Sequence, residues 1–279
     1  MSNSRFYHAL PIQVGNTIQL SENATTHATR VLRLEVSDEI VLFNGDGFDY
    51  VCAIISIQKN KALVIVKSCV TLKNESPLHI SLLQGISSSE RMDYTIQKAV
   101  ELGVAVIQPI FTQRSVVKLS TERAEKRQEH WQNVVRSACE QSGRAIVPAV
   151  LAPVQLTAWL AGAMSLKSAH VASGQSDLSN VNLSNVDFDK NELNNADLNI
   201  NVSTRILLNP VGAKRLADMP KPTGNIELLI GAEGGLSQAE IDAALLQGFQ
   251  SVILGPRVLR TETAALTAIA AMQTLWGDF

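Results

Sequence analysis

Cysteine is scarce: Cys52, Cys69 and Cys139 are the only three in 279 residues. Their wide, irregular spacing matches neither a disulfide framework nor a metal site, so reduced thiols are expected. The histidines show no ligand spacing either, and no metal is expected. No apolar run is long enough to cross a bilayer. The start, Met1 to Phe6, lacks the apolar stretch of a signal peptide, so a cytoplasmic protein without membrane contact is expected. No Gly-x-Gly-x-x-Gly fingerprint and no Gly-Lys-Ser/Thr loop occurs, which argues against a dinucleotide or ATP as the first ligand. A strong charge of either sign is also missing, because the net charge is only -2. That average hides an asymmetry. Residues 173–200 hold Asp177, Asp187, Asp189, Glu192 and Asp197 against Lys190 alone, a balance of -4 that leaves +2 for the remainder.

What is present is a 46% hydrophobic, 18% charged chain, long enough for two modest domains with real cores. Up to about residue 73 it reads as all-β. Glu39 to Phe43 runs into Asn44-Gly45-Asp46-Gly47, a hairpin signal, and Phe48 to Ile57 and Ala62 to Val70 follow around Lys59-Asn60-Lys61. A short helical stretch is expected over 24–32. Residues 73–77, polar and closed by Pro77, form the linker. Strand and helix then alternate, which implies a mainly parallel α/β sheet. Strands are expected at 78–83, 104–110, 168–172, 205–208, 226–230 and 251–254. Helices are expected at 91–102, closed by Gly103, and from a Ser120 cap to Gly143. Ser237 and Glu240 form a capping box for a further helix. From 176 to 200 a hydrophobic residue recurs every fifth position (Leu178, Leu183, Phe188, Leu193, Leu198). This resembles pentapeptide repeats, but five make little more than one coil. The stretch at about 173–203 is read as a polar, acidic insertion in a surface loop without a catalytic role.

The most telling feature lies near the C-terminal end. Two aliphatic strands each break into a glycine-containing turn and restart as a helix. One turn is Gly231-Ala232-Glu233-Gly234-Gly235, and the other is Gly255-Pro256-Arg257-Val258-Leu259-Arg260. A third strand leads into Leu208-Asn209-Pro210-Val211-Gly212. Glycine lets a ligand approach the backbone, and open α/β sheets bind ligands at the carboxyl ends of their strands. Three such turns suggest one shared pocket. Ile230, Leu254, Val258 and Leu259 can line an apolar slot, while Gly231 and Gly255 offer backbone polar groups.

Together, Leu229-Ile230-Gly231-Ala232-Glu233-Gly234-Gly235 and the run from Leu254 to Ala264 resemble the signature of the bacterial ribosomal RNA uridine-N3 methyltransferases, within the trefoil-knot (SPOUT) superfamily. The runs 91–104, 136–144 and 26–33 are similar to further motifs of that family. Ala232 departs from its usual proline, and the acidic insertion is a second departure. The resemblance implies a PUA-like β-barrel over 1–73 and a knotted α/β methyltransferase domain over 77–279. It also implies S-adenosylmethionine bound in the knot, a homodimer, and 16S ribosomal RNA or the small ribosomal subunit as partner. The expected cofactor residues are Leu208, Asn209, Pro210, Gly231, Glu233, Gly234, Gly235, Leu254, Gly255, Val258, Leu259, Arg260, Thr263 and Ala264.

The acceptor implied is uridine N3, an imide whose proton must leave while charge develops on the ring oxygens. Arg260 is the first candidate for stabilising that charge. Glu262 and Glu233 are candidate bases. Glu262 also suits the first turn of a helix, and Glu233 could cap a turn. Arg5, His27, Arg30, Arg33, Arg91, Lys98, Arg114, Arg136 and Arg144 are the candidate RNA contacts. Arg123, Lys126 and Arg127 alternate with glutamates and read as a solvated helix face. Two other functions stand beside this one: methylation of another RNA base or of ribose, and a non-catalytic ribosome-assembly factor.

Overall fold

The protein is described here by a computed structural model covering residues 4–59, 61–115, 117, 120–163, 203–211 and 214–279. The pentapeptide-like stretch, the strand expected at 168–172, Asn60 and Gly212 lie outside the described residues.

The N-terminal part is a five-stranded sheet. Its strands are β1 (Ser4–Tyr7), β2 (Thr17–Gln19), β3 (Glu39–Phe43), β4 (Phe48–Gln58) and β5 (Lys61–Thr71), in the order β1-β3-β4-β5-β2. Only β1 and β3 run parallel. The Asn44–Gly47 turn joins β3 to β4, where Asn44 Oδ1 accepts from the Asp46 amide at 3.1 Å. Alternate residues of β3 to β5 point inward, and Ile40, Leu42, Cys52, Ile54, Val64 and Val66 form the core with Phe6 and Leu20. Helix α1 (Glu22–Thr26) starts where Ser21 Oγ accepts from the Ala24 amide, and it widens without a break into a π-helical turn over His27–Val31. The helix thus starts two residues before the expected point. Arg33 lies beyond it with φ 55°, so the spacing from Arg30 to Arg33 does not place them on one helical face.

Among the described residues the second sheet has eight strands, and every pairing between them is parallel. They are β6 (Ile80–Gly85), β7 (Val106–Phe111), β8 (Ala149–Val150), β9 (Val154–Gln155), β10 (Thr204–Leu208), β11 (Lys214–Arg215), β12 (Ile226–Ile230) and β13 (Gln250–Ile253). The order is β11-β13-β10-β12-β6-β7-β8, with β9 also on β7. Its helices are α2 (Ser89–Glu101), α3 (Thr121–Ser142), α4 (Leu156–Ala158), α5 (Gln238–Leu246) and α6 (Thr261–Trp276). Residues of β6 and β12 are buried on both faces, which explains why those strands read as unbroken apolar runs. Leu82 and Leu228 face α2, α3 and α6, while Leu83 and Leu229 face the α4 and α5 side. Glu227 is tolerated inside β12 because Arg205 Nε donates to it at 2.7 Å. The Arg205 guanidinium also lies against the Trp159 and Phe249 rings. Helix α3 ends at Gly143 with φ 81°, as expected; Ser120 holds its N-cap position without a side-chain bond. The Ser237–Glu240 capping box is present in both directions.

After β13 the chain turns back past β10 and β12, and α6 packs on β6, β12 and α2. Thr261, at the start of α6, donates to the Gly231 carbonyl, so the end of the 254–260 segment lies against the turn that follows β12.

Candidate active site

The three turns converge. A cleft of about 600 Å³ opens at the carboxyl ends of β10, β12 and β13. It is lined by Leu208, Asn209, Pro210, Gly231, Glu233, Gly234, Gly235, Leu254, Gly255, Val258, Leu259, Arg260 and Ala264. Of the expected cofactor residues, Thr263 alone does not line it; one position past Glu262 on α6, its side chain is exposed. Sequence reading also missed Thr261 and Arg257, which line the cleft too. The arginine could have been found, since it stands inside the second glycine turn.

Close backbone packing shapes the walls. A Cβ on Gly85, at the end of β6, would lie 2.3 Å from the Ala232 amide nitrogen, and one on Gly231 would lie 2.9 Å from Gly235. Only glycine lets these segments touch. Gly255 differs: a Cβ there would meet nothing within 4 Å, and its φ is not left-handed. Protein packing does not require glycine at 255, so the space beside it belongs to the cleft.

Glu233 Oε1 accepts from the Ser88 amide at 2.9 Å and from Arg91 Nη1 at 3.3 Å. Burial alone would raise its pKa; the bonds from Ser88 and its own backbone, with the Arg91 charge, outweigh that and hold the carboxyl below its ordinary value. Glu262 is half-buried, and its Oε2 is buried with no hydrogen-bond partner among the described residues. Arg260 occupies the N-cap position of α6 with its side chain exposed at the cleft. Arg91 and Arg114 also reach the cleft, and Arg114 Nη1 donates to the Gly234 carbonyl at 3.3 Å. Four arginines therefore surround a site with two carboxylates.

The candidate RNA contacts divide. His27, Arg30 and Arg33 are exposed on the N-terminal module, and His27 stands edge-on to Phe6. Lys98 is half-exposed and bonded to Glu101 at 2.8 Å. Three others join the two halves of the molecule, and for two of them, Arg5 and Arg144, the expectation is corrected. Only 7% of the Arg144 side chain is exposed. It donates to Glu75 Oε2 at 2.5 Å and to the Val100 and Val104 carbonyls at 3.0 and 2.8 Å. Arg5 is paired with Asp49, stacks on Phe43 and donates to the Arg144 carbonyl at 3.0 Å. Arg136 lies over the Tyr7 ring, whose amide donates to Glu140 at 2.9 Å. Burial and these partners leave Arg5 and Arg144 no face for a phosphate. The polar linker is likewise held: Asn74 donates to the Gly143 carbonyl and Ser76 to Gln273 Oε1.

The sequence profile of an RNA methyltransferase domain matches residues 74–196 and 169–273, and that of an RNA methyltransferase PUA domain matches 20–67. The ribosomal RNA small subunit methyltransferase E of Buchnera aphidicola subsp. Schizaphis graminum is 31% identical over 98% of this chain and 97% of its own. That of Bacillus subtilis is 29% identical over 94% and 91%. The crystal structure of the Neisseria gonorrhoeae enzyme, bound to S-adenosyl methionine, superposes over 100% of both chains with a TM-score of 0.81 and 38% identity. A putative Legionella pneumophila methyltransferase, also in complex with that cofactor, gives a TM-score of 0.82 at 34% identity, again over 100% of both chains. The fold class is the expected one, a PUA-like module followed by an α/β domain of the trefoil-knot methyltransferase type. With a cleft built from its own three turns and this likeness along its whole length, the chain belongs to the ribosomal RNA small subunit methyltransferase E family.

Proposed function

We propose that this protein transfers a methyl group from S-adenosylmethionine to N3 of one uridine in 16S ribosomal RNA. The observation that carries the reading is the convergence of the 208–211, 231–235 and 254–260 turns on one cleft. The cleft fits the donor: its volume lies within the range of small-molecule sites, Ile230, Leu208 and Leu254 supply apolar wall, and the space beside Gly255 admits a ligand against the backbone. When bound, S-adenosylmethionine supplies an electrophilic methyl on its sulfonium, and no metal is needed. The chain's own work is to align donor and acceptor, exclude water and handle the N3 proton. Glu262 is assigned the base role, because it lines the cleft two residues from Arg260 and is half-exposed there. Glu233 is assigned to anchoring, because its low-lying pKa and its bonds to Ser88 and Arg91 make it a weak proton acceptor. Arg260 stabilises the charge that develops on the uracil oxygens.

His27, Arg30, Arg33, Arg91, Lys98, Arg114 and the half-buried Arg136 are the proposed RNA contacts, with the domain division at 1–73 and 77–279. A homodimer is supported by α6, which buries Ala268, Ile269 and Met272 against the sheet yet leaves Leu275 exposed on another face, and by Val258, 79% exposed beside the cleft. No helix among the described residues is long and apolar enough to cross a membrane, and we place the protein in the cytoplasm. The test is nucleoside mass mapping of 16S ribosomal RNA from cells with and without this chain. One N3-methyluridine should vanish without it; an unchanged map overturns the proposal. Calorimetry that showed no S-adenosylmethionine binding would favour the assembly-factor reading instead.

A further inference from the structure

Gln84 is the penultimate residue of β6, with its side chain fully buried. Its Nε2 donates to Thr261 Oγ1 at 2.9 Å, and the Thr261 hydroxyl donates to the Gly231 carbonyl at 2.6 Å. A hydroxyl has one proton, so the direction is fixed: Thr261 accepts from Gln84 and gives to Gly231. These residues come from three segments: β6, the turn after β12, and the first turn of α6. Thr261 stands between Arg260 and Glu262 in sequence, while Gly231 opens the turn that carries Glu233. One buried chain of hydrogen bonds therefore ties the first glycine turn to the segment bearing the proposed charge-stabilising and proton-accepting side chains.

Stability alone does not account for it. Gln84 Oε1 is buried without a partner among the described residues. Burying an unpaired amide oxygen is unfavourable, and an apolar pair of the same volume would fill this space without that cost. A polar chain retained at the junction of two turns points to placement of groups.

We propose that Gln84 and Thr261 are positioning residues, which set Arg260 and Glu262 against the 231–235 turn. The assignment rests on the methyl-transfer reading above. Thr261→Val keeps the side-chain volume and removes both bonds, whereas Thr261→Ser keeps the hydroxyl. For Thr261→Val, kcat on small-subunit RNA is expected to fall about ten- to a hundredfold, with the Kd for S-adenosylmethionine changing less than about threefold. Thr261→Ser should recover most of the turnover. Gln84→Met should lose turnover as well, and combining it with Thr261→Val should add little, because members of one chain act together. All variants are assayed well below their melting temperatures. Equal impairment of the Ser and Val variants, matched losses of turnover and donor affinity, or losses that multiply in the double variant would overturn the assignment. If Thr261→Val does not fold, Gln84→Met carries the comparison of kcat with Kd. A wild-type chain that leaves the RNA unmethylated overturns the functional reading, and this assignment with it. A wild-type chain that methylates while the variants stay fully active overturns the positioning role alone.

Discussion

Arg144→Ala separates two readings of one residue. From the sequence it is an RNA contact; in the structure it closes the space between the linker and the end of α2. The substitution strands the Glu75 carboxylate and removes the donor from the Val100 and Val104 carbonyls. Breaking a buried ion pair from one side costs about 3–5 kcal/mol. The low end applies, because 26% of the Glu75 side chain remains exposed. At about 3 kcal/mol, and about 2–4 °C per kcal/mol for a chain of this size, the melting temperature should drop by roughly 6–12 °C. Calorimetric melts of wild type, Arg144→Ala, Glu75→Ala and the double variant measure it. The double variant should lose much less than the sum of the singles. RNA affinity, measured well below either melt, should stay within about twofold of wild type. A melt within about 2 °C of wild type, joined to a large loss of RNA affinity, would refute the reasoning.

Four further outcomes are expected. Gly85→Ala should lower the melting temperature and S-adenosylmethionine affinity together, because the new methyl meets the Ala232 backbone at 2.3 Å; Gly255→Ala should leave the melt unchanged while calorimetry shows affinity falling about tenfold, as only the ligand loses space. Arg260→Ala should cut turnover far more than donor affinity in steady-state assays, and equal losses would remove its transition-state role. Glu233 has a folded-state pKa below its ordinary 4.5, so its ionised form favours the fold; that contribution is complete above pH 4.5 and fades as pH falls through the lowered value. The stability gap between wild type and Glu233→Gln, followed by denaturant titration, should therefore narrow in acid.

The elements legible in the sequence are those fixed by neighbours along the chain. Asn44–Gly47, Gly143 and the Ser237–Glu240 box act through residues at most four positions away, and each does what its local chemistry dictates. The cleft was legible because strand, glycine turn and helix recur in order, and parallel strands place such turns at one end of the sheet. Arg5 and Arg144 were misread for the opposite reason. Their partners Asp49 and Glu75 lie 44 and 69 residues away, and an arginine with few acids nearby in sequence looks unpaired. Gln84 gave no signal, since its bond to Thr261 spans 177 residues. The widening of the first helix at His27 was likewise invisible, as nothing in Glu22–Val31 distinguishes α from π spacing.

The pairing of β6 with β12 has a consequence during synthesis. One edge of β6 pairs early with Val106 to Ile110, but on the other edge Ile80 to Gln84 find their partners only at Ile226 to Ile230, and the chain grows at about 5–20 residues per second. The first module holds all its strand partners by residue 71 and can settle early. The apolar edge of β6 must wait while some 140 more residues emerge, an interval on the order of ten seconds at that rate. A chain interrupted before β12 leaves that edge unpaired, so partial products are sticky as well as inactive, and chaperones have their strongest claim on this protein in that window.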